Sequence, residues 1–269
     1  MRATDSFLAF SRTGAGERGR TGVVVSHGFT GSPTSVLPWA QHLADEGFAV
    51  RVPLLEGHGT SWQQLNRTSW PQWYGSVVAA YHDLADHVDQ VAVAGLSMGG
   101  TLALRLAAQY PLAGATLVNP AMTFASPAAR WVGALKYVRR SLPAIGSDIK
   151  LAGVDEGAYP RTPLAATHEL ARLFAATLPL LGDVRCPVQV FRSTVDAVVP
   201  DSSLTAIADA LPVAPEVVSL AESYHVATLD NDAPLIFDGS VRFLDACVRA
   251  DPRTDTLIDG ARRGDAAAR

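Results

Sequence analysis

The stretch from Val91 to Gly100, VAVAGLSMGG, constrains the fold of this chain more than any other. It begins with a run of small apolar residues, which is typical of a buried strand. It ends in Gly-x-Ser-x-Gly, and an Ala/Leu-rich stretch of helical character follows until Pro111 stops it. Strand, tight turn and helix in this order predict that Ser97 lies on a strained bend. Such a bend closes only if its neighbours lack bulk, as Gly95 and Gly99 do.

The side chain of Ser97 is a candidate nucleophile because of this setting. A serine on a strand-to-helix turn projects its hydroxyl above the sheet. The backbone amides of the new helix, beginning with that of Met98, point toward the same space. Gly-x-Ser-x-Gly by itself also occurs in structural turns. Between a strand and a helix, the pattern favours a catalytic serine.

Apolar runs of strand length alternate with stretches of helical periodicity along most of the chain. The predicted strands are 22–26, 48–52, 91–96, 115–119, 188–192 and 216–220, and the predicted helices are 35–46, 71–87, 101–110, 200–211 and 233–248. With 269 residues, 48% of them hydrophobic, the chain can bury a full core. The alternation predicts an α/β fold with a mostly parallel sheet of about six or seven strands and helices on both faces.

The rhythm of the sheet breaks between residues 121 and 182, a segment called the insertion below. Its apolar spacing predicts helices at 128–141 and 163–178. A segment that leaves the carboxyl edge of the sheet would lie above Ser97, where open α/β sheets bind ligands. We therefore expect residues 1–269 to form a single domain in which the insertion is a small helical cap. The polar tail, 251–269, is expected to be frayed.

A serine hydroxyl needs a base to take its proton and a third group to orient that base. Asp196 lies four residues after the predicted strand that ends at Arg192, and His225 lies five residues after the one that ends at Leu220. The order Ser97, Asp196, His225 is the order expected after a nucleophile elbow. We therefore predict these three residues as a catalytic triad. For Asp196, a simple turn or cap aspartate is the alternative.

Two backbone N–H groups are candidate donors to a developing oxyanion. Ester cleavage places negative charge on the carbonyl oxygen, and fixed donors must meet that charge. One donor is the N–H of Met98, directly after the nucleophile. The other comes from the loop after the first buried strand, where Gly28 lets the backbone turn and leaves the N–H of Phe29 facing Ser97. We interpret His27 as a residue that braces this loop and not as a second base.

Charge and residue spacing argue against several other classes of protein. The net charge is −4, and the nearest approach to a basic patch is Lys136 with Arg139 and Arg140, which is typical of a solvated helix face. We therefore expect no nucleic-acid partner. The histidines, cysteines and carboxylates lack zinc-site spacing, so we expect neither a metal nor a cofactor. The sequence specifies no oligomeric state.

The first residues and the cysteine count bear on location. Residues 1–5 lead into no long apolar run, so we expect no signal peptide, and no run approaches the length that spans a membrane. Two cysteines are too few for a disulfide scaffold. We expect a cytoplasmic protein without stable membrane insertion, with Cys186 and Cys247 as free thiols, although one bridge between them stays open.

Five segments, in this order, resemble the bacterial carboxylesterase and monoacylglycerol lipase branch of the α/β-hydrolase family: 27–33 (HGFTGSP), 56–60 (EGHGT), 95–100 (GLSMGG), 196–200 (DAVVP) and 223–225 (SYH). The resemblance runs from about residue 22 to residue 248. It implies the α/β-hydrolase fold, with Ser97, Asp196 and His225 as the triad. It also implies Phe29 and Met98 as oxyanion donors. The insertion carries no motif of the family.

The expected partner is a small-molecule ester with a short or medium acyl chain, cleaved through an acyl-serine intermediate. A monoacylglycerol lipase, a carbon–carbon bond hydrolase and a ligand receptor on the same fold are the alternatives. Apolar residues of the insertion and of the two oxyanion segments are candidates for an acyl pocket, and those in the insertion could equally fix it to the core. The candidates are Trp131, Leu135, Phe174, Leu178, Phe29 and Met98.

Overall fold

The apolar runs form the strands of a seven-stranded sheet in a computed structural model that describes residues 9–126, 131–144 and 148–250. Its strands are β1 (Phe10–Arg12), β2 (Thr21–Ser26), β3 (Ala49–Val52), β4 (Gln90–Leu96), β5 (Ala115–Val118), β8 (Val188–Ser193) and β9 (Glu216–Leu220); β6 (Ser141–Pro143) and β7 (Arg161–Pro163) form a separate antiparallel pair. The order across the sheet is β1-β3-β2-β4-β5-β8-β9. All neighbours are parallel except β1 and β3.

Helices cover both faces of this sheet. They are α1 (Leu37–Asp45), α2 (Trp62–Leu65), α3 (Trp70–Ala85), α4 (Met98–Gln109), α5 (Val132–Leu135), α6 (Leu164–Thr177), α7 (Asp201–Ala210) and α8 (Ala233–Ala250). One buried layer includes Trp73 of α3 and Leu102 of α4, and the layer on the other face includes Trp39 of α1 and Leu244 of α8. The central strands are therefore removed from water on both faces, and the predicted fold class is confirmed.

The strand register brings several loops together at one edge. In the parallel ladder, Ser26 at the end of β2 pairs with Gly95 of β4, and Leu96 pairs with Val118 at the end of β5. The carboxyl ends of these strands therefore lie side by side. The residues that follow them begin at His27, Ser97 and Asn119, so they share this edge. Ligands of open α/β sheets bind at such an edge.

The insertion differs from its prediction in one helix. The predicted helix 163–178 corresponds to α6, but the predicted helix 128–141 is wrong in its extent, because α5 ends at Leu135 and residues 127–130 lie outside the described part. The chain instead enters β6, which pairs with β7 through Leu142 and Thr162. Tyr137 and Val138 are more than four-fifths exposed, so the helical apolar pattern has no core face to bury there.

The sequence predicts one domain for residues 1–269 and a frayed tail at its end. The division into one domain with a cap at 121–182 stays a prediction. The tail 251–269 lies outside the described residues. Within the part of the chain that is described, no helix combines the length and the apolar character needed to cross a membrane.

Candidate active site

Ser97 lies on a strained turn between β4 and α4. Its backbone has φ 57° and ψ −119°, a conformation that costs a non-glycine residue about 1–3 kcal/mol. A Cβ on Gly99 would lie 2.1 Å from the carbonyl oxygen of Ser26, and a Cβ on Gly95 would lie 2.3 Å from that of Gly99. The backbone N–H of Ser97 donates to Val118 of β5 at 3.0 Å. Backbone atoms therefore approach the turn so closely at positions 95 and 99 that only glycine fits there.

His225 and Asp196 form a hydrogen-bonded pair. Nδ1 of His225 lies 2.9 Å from Oδ2 of Asp196. The other oxygen, Oδ1, accepts the backbone N–H groups of Val198 at 2.9 Å and Val199 at 2.8 Å. The Asp196 side chain is fully buried. An ionised carboxylate only accepts, so Nδ1 of His225 carries the proton and Nε2 remains free to act as a base.

The surroundings of Asp196 favour its ionised form. Burial alone would raise the pKa of this carboxyl group. The hydrogen bond from His225 and those from the amides of Val199 and Val198 outweigh burial, so the pKa of Asp196 lies below its usual value. The carboxylate is therefore charged at neutral pH and able to stabilise an imidazolium.

Ser97 and His225 line the same cavity, which has a volume of about 660 Å³. Phe29 and Met98 line it as well. The chain passes close to Ser97 at Gly28, where a Cβ would lie 3.4 Å from Cβ of Ser97 and 3.9 Å from its Oγ. The structure therefore brings the three predicted triad residues and the two predicted oxyanion residues to one place.

The N–H of Met98 belongs to the first turn of α4, where backbone amides lack a partner within the helix.

The loop that carries Phe29 is braced by His27. Nδ1 of His27 lies 3.0 Å from the carbonyl oxygen of Gly28, and Nε2 accepts the backbone N–H of Leu55 at 3.3 Å. Burial lowers the pKa of His27 to about 4, although the hydrogen bond to Gly28 opposes this. His27 is therefore neutral and holds the loop, as interpreted from the sequence.

Sequence reasoning missed two carboxylates that hold the loops carrying Asp196 and His225. Oδ2 of Asp148 accepts the backbone N–H groups of Ala197 at 3.1 Å and of His225 at 3.3 Å. Asp148 lies in the insertion without a surrounding motif. Asp230 accepts the N–H of Tyr224 at 2.9 Å, together with two amides of the insertion. The short distance in sequence between Asp230 and His225 was the one feature that could have pointed to its role.

The predicted acyl-pocket residues divide into two groups. Phe174 of α6 lines the cavity together with Phe29 and Met98. Trp131 and Leu135 lie at the surface instead, 64% and 37% exposed, and neither lines the cavity. The remaining candidate, Leu178, packs against the core. Among the residues the structure describes, no His, Cys, Asp and Glu side chains are grouped so as to hold a metal ion.

Comparisons with known proteins agree with this geometry. The sequence model of the family described as Serine aminopeptidase, S33, matches residues 17–232. The chain is 41% identical to a thermostable monoacylglycerol lipase from Bacillus sp. (strain H-257), over 84% of this chain and 91% of that protein. It is 25% identical to a carboxylesterase from Bacillus subtilis (strain 168), over 84% of this chain and 93% of that protein.

A solved structure published for the metagenome-derived lipolytic enzymes LipS and LipT superposes on this chain with a TM-score of 0.85. The two sequences are 38% identical, and the match covers 90% of this chain and 98% of the other. The fold, the strained serine turn and the sequence match all agree. The chain therefore belongs to the serine aminopeptidase S33 family of α/β-hydrolases, in its bacterial esterase and lipase branch.

Proposed function

We propose that this chain is a serine carboxylesterase that cleaves carboxylic esters with short to medium acyl chains through an acyl-serine intermediate. The observation that carries the proposal is the His225–Asp196 pair, 2.9 Å apart, beside the cavity that Ser97 also lines. A hydroxyl, an imidazole and an orienting carboxylate are the groups that acyl transfer requires.

In the first half-reaction, Oγ of Ser97 attacks the carbonyl carbon of the ester while Nε2 of His225 takes its proton. Asp196 stabilises the imidazolium through the hydrogen bond at Nδ1. The imidazolium then gives the proton to the alkoxide oxygen as the carbon–oxygen bond breaks. The alcohol leaves, and the acyl group stays on Ser97.

In the second half-reaction, water takes the place of the alcohol. His225 removes a proton from the water, which attacks the acyl carbon, and the proton then returns to Oγ of Ser97 as the acid is released. Both steps pass through a tetrahedral oxyanion. We assign its stabilisation to the backbone N–H groups of Phe29 and Met98, and losing one such donor typically costs about a hundredfold to a thousandfold in rate.

The cavity supports a small ester as the substrate. Its volume of about 660 Å³ lies within the range of about 300–1,000 Å³ typical of small-molecule sites. Side chains such as Phe29, Leu170 and Phe174 give part of its wall an apolar character suited to an acyl chain. Most of the lining residues belong to the insertion, which supports the assignment of 121–182 as a cap over the nucleophile.

A monoacylglycerol is the second candidate substrate, favoured by a polar stretch of the same wall. Asp148, Asp155 and Glu156 line the cavity, and carboxyl groups accept hydrogen bonds from hydroxyl groups. Burial raises the pKa of Glu156, while His225 nearby opposes the rise. A glycerol headgroup beside Glu156 would leave the acyl chain for the apolar side. The relative that is 41% identical is a monoacylglycerol lipase.

Turnover of p-nitrophenyl esters from two to sixteen acyl carbons, with and without Ser97→Ala, tests the esterase proposal. We expect the highest kcat/KM at short to medium chains, and a loss in kcat of roughly 10⁴–10⁶ in Ser97→Ala. Equal rates for the two proteins would reject catalysis by Ser97. A clear preference for the sixteen-carbon ester would reject the proposed chain length.

Alanine p-nitroanilide, offered to the same preparation, tests peptidase activity, and turnover faster than that of the esters would reject the proposed reaction.

The glycerol assignment has its own test in Glu156→Gln. We expect the KM for a medium-chain monoacylglycerol to rise about tenfold, because a hydroxyl loses a charged acceptor. The KM for the p-nitrophenyl ester of the same chain length, which has no such hydroxyls, should change less than twofold. Equal effects on both substrates would assign Glu156 to the acyl chain or to the fold.

The proposed location of the enzyme is the cytoplasm, and its proposed partner is the ester alone. Cys186 and Cys247 are free thiols in the structure, which suits a reducing compartment. We propose neither nucleic-acid binding nor stable membrane insertion, in keeping with the net charge of −4.

A further inference from the structure

Arg192 of β8 contacts the carboxylate that orients the base. Its Nη1 donates to Oδ2 of Asp196 at 2.7 Å, and this is the same oxygen that Nδ1 of His225 approaches at 2.9 Å. The side chain of Arg192 is 11% exposed, and that of Asp196 is fully buried. A cation and the catalytic imidazole therefore share one oxygen atom in a place that water screens poorly.

The guanidinium is fixed by three further contacts. Nη2 donates to the carbonyl oxygen of Val199 at 2.8 Å and to Oδ1 of Asp201 at 2.9 Å, and Nη1 lies 3.4 Å from Oδ1 of Asn119. The Asp201 side chain is 93% exposed, so water screens its charge. Asp196 is therefore the buried carboxylate that Arg192 faces. Because these contacts fix the guanidinium in place, it does not move when the imidazole of His225 moves. Oδ2 of Asp196, which Arg192 and His225 share, therefore stays oriented toward His225.

We propose that Arg192 is a positioning residue that acts through Asp196. It fixes Oδ2 toward His225, and its charge sets the acid limb of the pH–activity profile at lower pH than the carboxylate alone would. The reason is competition: a cation bonded to Oδ2 weakens the stabilisation that the same oxygen gives to a protonated imidazole. The inference rests on the proposed esterase function.

Other charged groups near His225 come from the insertion and from its own loop. Asp148 accepts the backbone N–H of His225, and Glu156 is close enough to interact with its ring. Asp155 lines the same cavity, and Lys150, Glu222 and Asp230 lie around the neighbouring Tyr224. In general, a nearby negative charge favours the protonated form of an imidazole and a nearby positive charge opposes it. Lys150 is partly exposed and paired with Glu222 at 2.8 Å, which limits its effect. Of the two cations named here, Arg192 is the buried one and Lys150 is the more exposed one. Removing the charge of Arg192 should therefore move the acid limb to higher pH.

The test is the pH dependence of kcat/KM for p-nitrophenyl butyrate in Arg192→Gln and Arg192→Lys. Glutamine keeps a hydrogen-bond donor without charge, and lysine keeps the charge. We expect the acid-side midpoint to rise by about 0.5–1 pH unit in Arg192→Gln and to stay within about 0.3 unit of the parent in Arg192→Lys, as for a charge close to the titrating group. Arg20→Gln, which removes an exposed arginine paired with Asp89, is the matched control and should leave the midpoint unchanged.

A merely structural role predicts a different result, since Arg192→Gln and Arg192→Lys would then lose activity and thermal stability together with no difference in midpoint. That result would overturn the proposal. Asp201→Asn changes an exposed residue and serves even if Arg192→Gln does not fold. Because water screens the charge of Asp201, we expect the midpoint to stay within about 0.3 unit of the parent. A shift of about 0.5 unit or more in either direction would show that Arg192 acts through Asp201 and not through Asp196, which would contradict the proposal.

A titration without turnover separates this inference from the proposed function. The imidazole signals of His225 are followed by NMR against pH in Ser97→Ala, with and without Arg192→Gln. We expect the titration midpoint of His225 to rise when Arg192 is replaced, whether or not the parent protein hydrolyses esters. A parent without esterase activity would reject the proposed function alone. An active parent with an unmoved His225 midpoint would reject the role of Arg192 alone.

Discussion

At the scale of single residues, three histidines with different surroundings have different tasks. His225 has a carboxylate at Nδ1 and a cavity wall beside it. His27 is fully buried and bonded to two backbone groups, and His58 is buried against its ring, with centroids 5.2 Å apart. Burial lowers the pKa of His58 well below its usual value, and the neighbouring His27 adds to this. The two buried histidines therefore support the loop of Phe29 in their neutral forms.

The low pKa of His27 predicts a pH-dependent stability. The folded value of about 4 lies below the ordinary value of 6.5, so the unfolded chain takes up the proton first as pH falls. His27 thus stabilises the fold fully above pH 6.5 and loses this contribution between pH 6.5 and 4. The loss amounts to at most about 3 kcal/mol in the free energy of unfolding.

The measurement is urea unfolding of the parent and of His27→Gln at pH 7.5, 5.5 and 4.5. Glutamine does not titrate, so the difference in the free energy of unfolding between the two proteins should shrink as pH falls. His87→Gln, which replaces an exposed histidine, is the control and should follow the parent. A difference that stays constant with pH would show that His27 is not the titrating group.

At the scale of elements, the elbow between β4 and α4 depends on glycine for a steric reason. A Cβ on Gly99 would lie 2.1 Å from the carbonyl oxygen of Ser26, and backbone of a central strand cannot move away cheaply. Gly75 in α3 has nothing within 4 Å of the corresponding position. The two glycines therefore serve as a matched pair, one required and one not.

Gly99→Ala and Gly75→Ala should change stability in opposite directions. We expect Gly99→Ala to cost more than about 3 kcal/mol in the free energy of unfolding or to prevent folding, since both backbones would have to shift. Gly75→Ala should add up to about 1 kcal/mol, because alanine favours an exposed helix over glycine. Thermal unfolding of both variants checks this, and a Gly99→Ala protein as stable as the parent would contradict the packing described for the elbow.

A second element-scale feature is the short segment from Asp148 to Leu151, which connects the insertion to the loops that carry Asp196 and His225. Asp148 bonds the amides of Ala197 and His225, and Asp230 bonds the amides of Lys150 and Leu151. The segment therefore connects the position of the insertion to the position of the base.

Asp148→Ala should lower kcat for p-nitrophenyl butyrate about tenfold, because His225 loses the acceptor that holds its backbone. The KM should change less than threefold, since the acyl wall stays in place. Asp148→Asn keeps an oxygen acceptor and should retain most of the parent kcat. Steady-state kinetics at pH 8 decide this. A kcat for Asp148→Asn as low as that for Asp148→Ala would mean that the charge, and not the hydrogen bonds, is what matters.

At the scale of the whole molecule, one edge of a parallel sheet gathers residues that are far apart in the chain. The shared location of Ser97, Asp196 and His225 could be predicted because each follows a strand, and strand ends meet at the same edge. Nothing in the sequence shows that the side chain of Arg192 turns toward Asp196, four residues later. The position of Asp148 could not be predicted either, because its contacts with Ala197 and His225 cross the fold and leave no local pattern. The end of α5 was missed for the same reason: pairing of β6 with β7, 20 residues apart, overrides the helical periodicity.

Covalent labelling is the most direct test of Ser97 as a nucleophile that His225 activates. The parent protein, Ser97→Ala and His225→Ala are treated with a fluorophosphonate, and the adduct is located by intact mass and peptide mapping. We predict one adduct per parent chain, on Ser97, none on Ser97→Ala, and labelling of His225→Ala slowed by about a hundredfold or more. An adduct on another residue, or parent-like labelling of His225→Ala, would contradict the proposed triad.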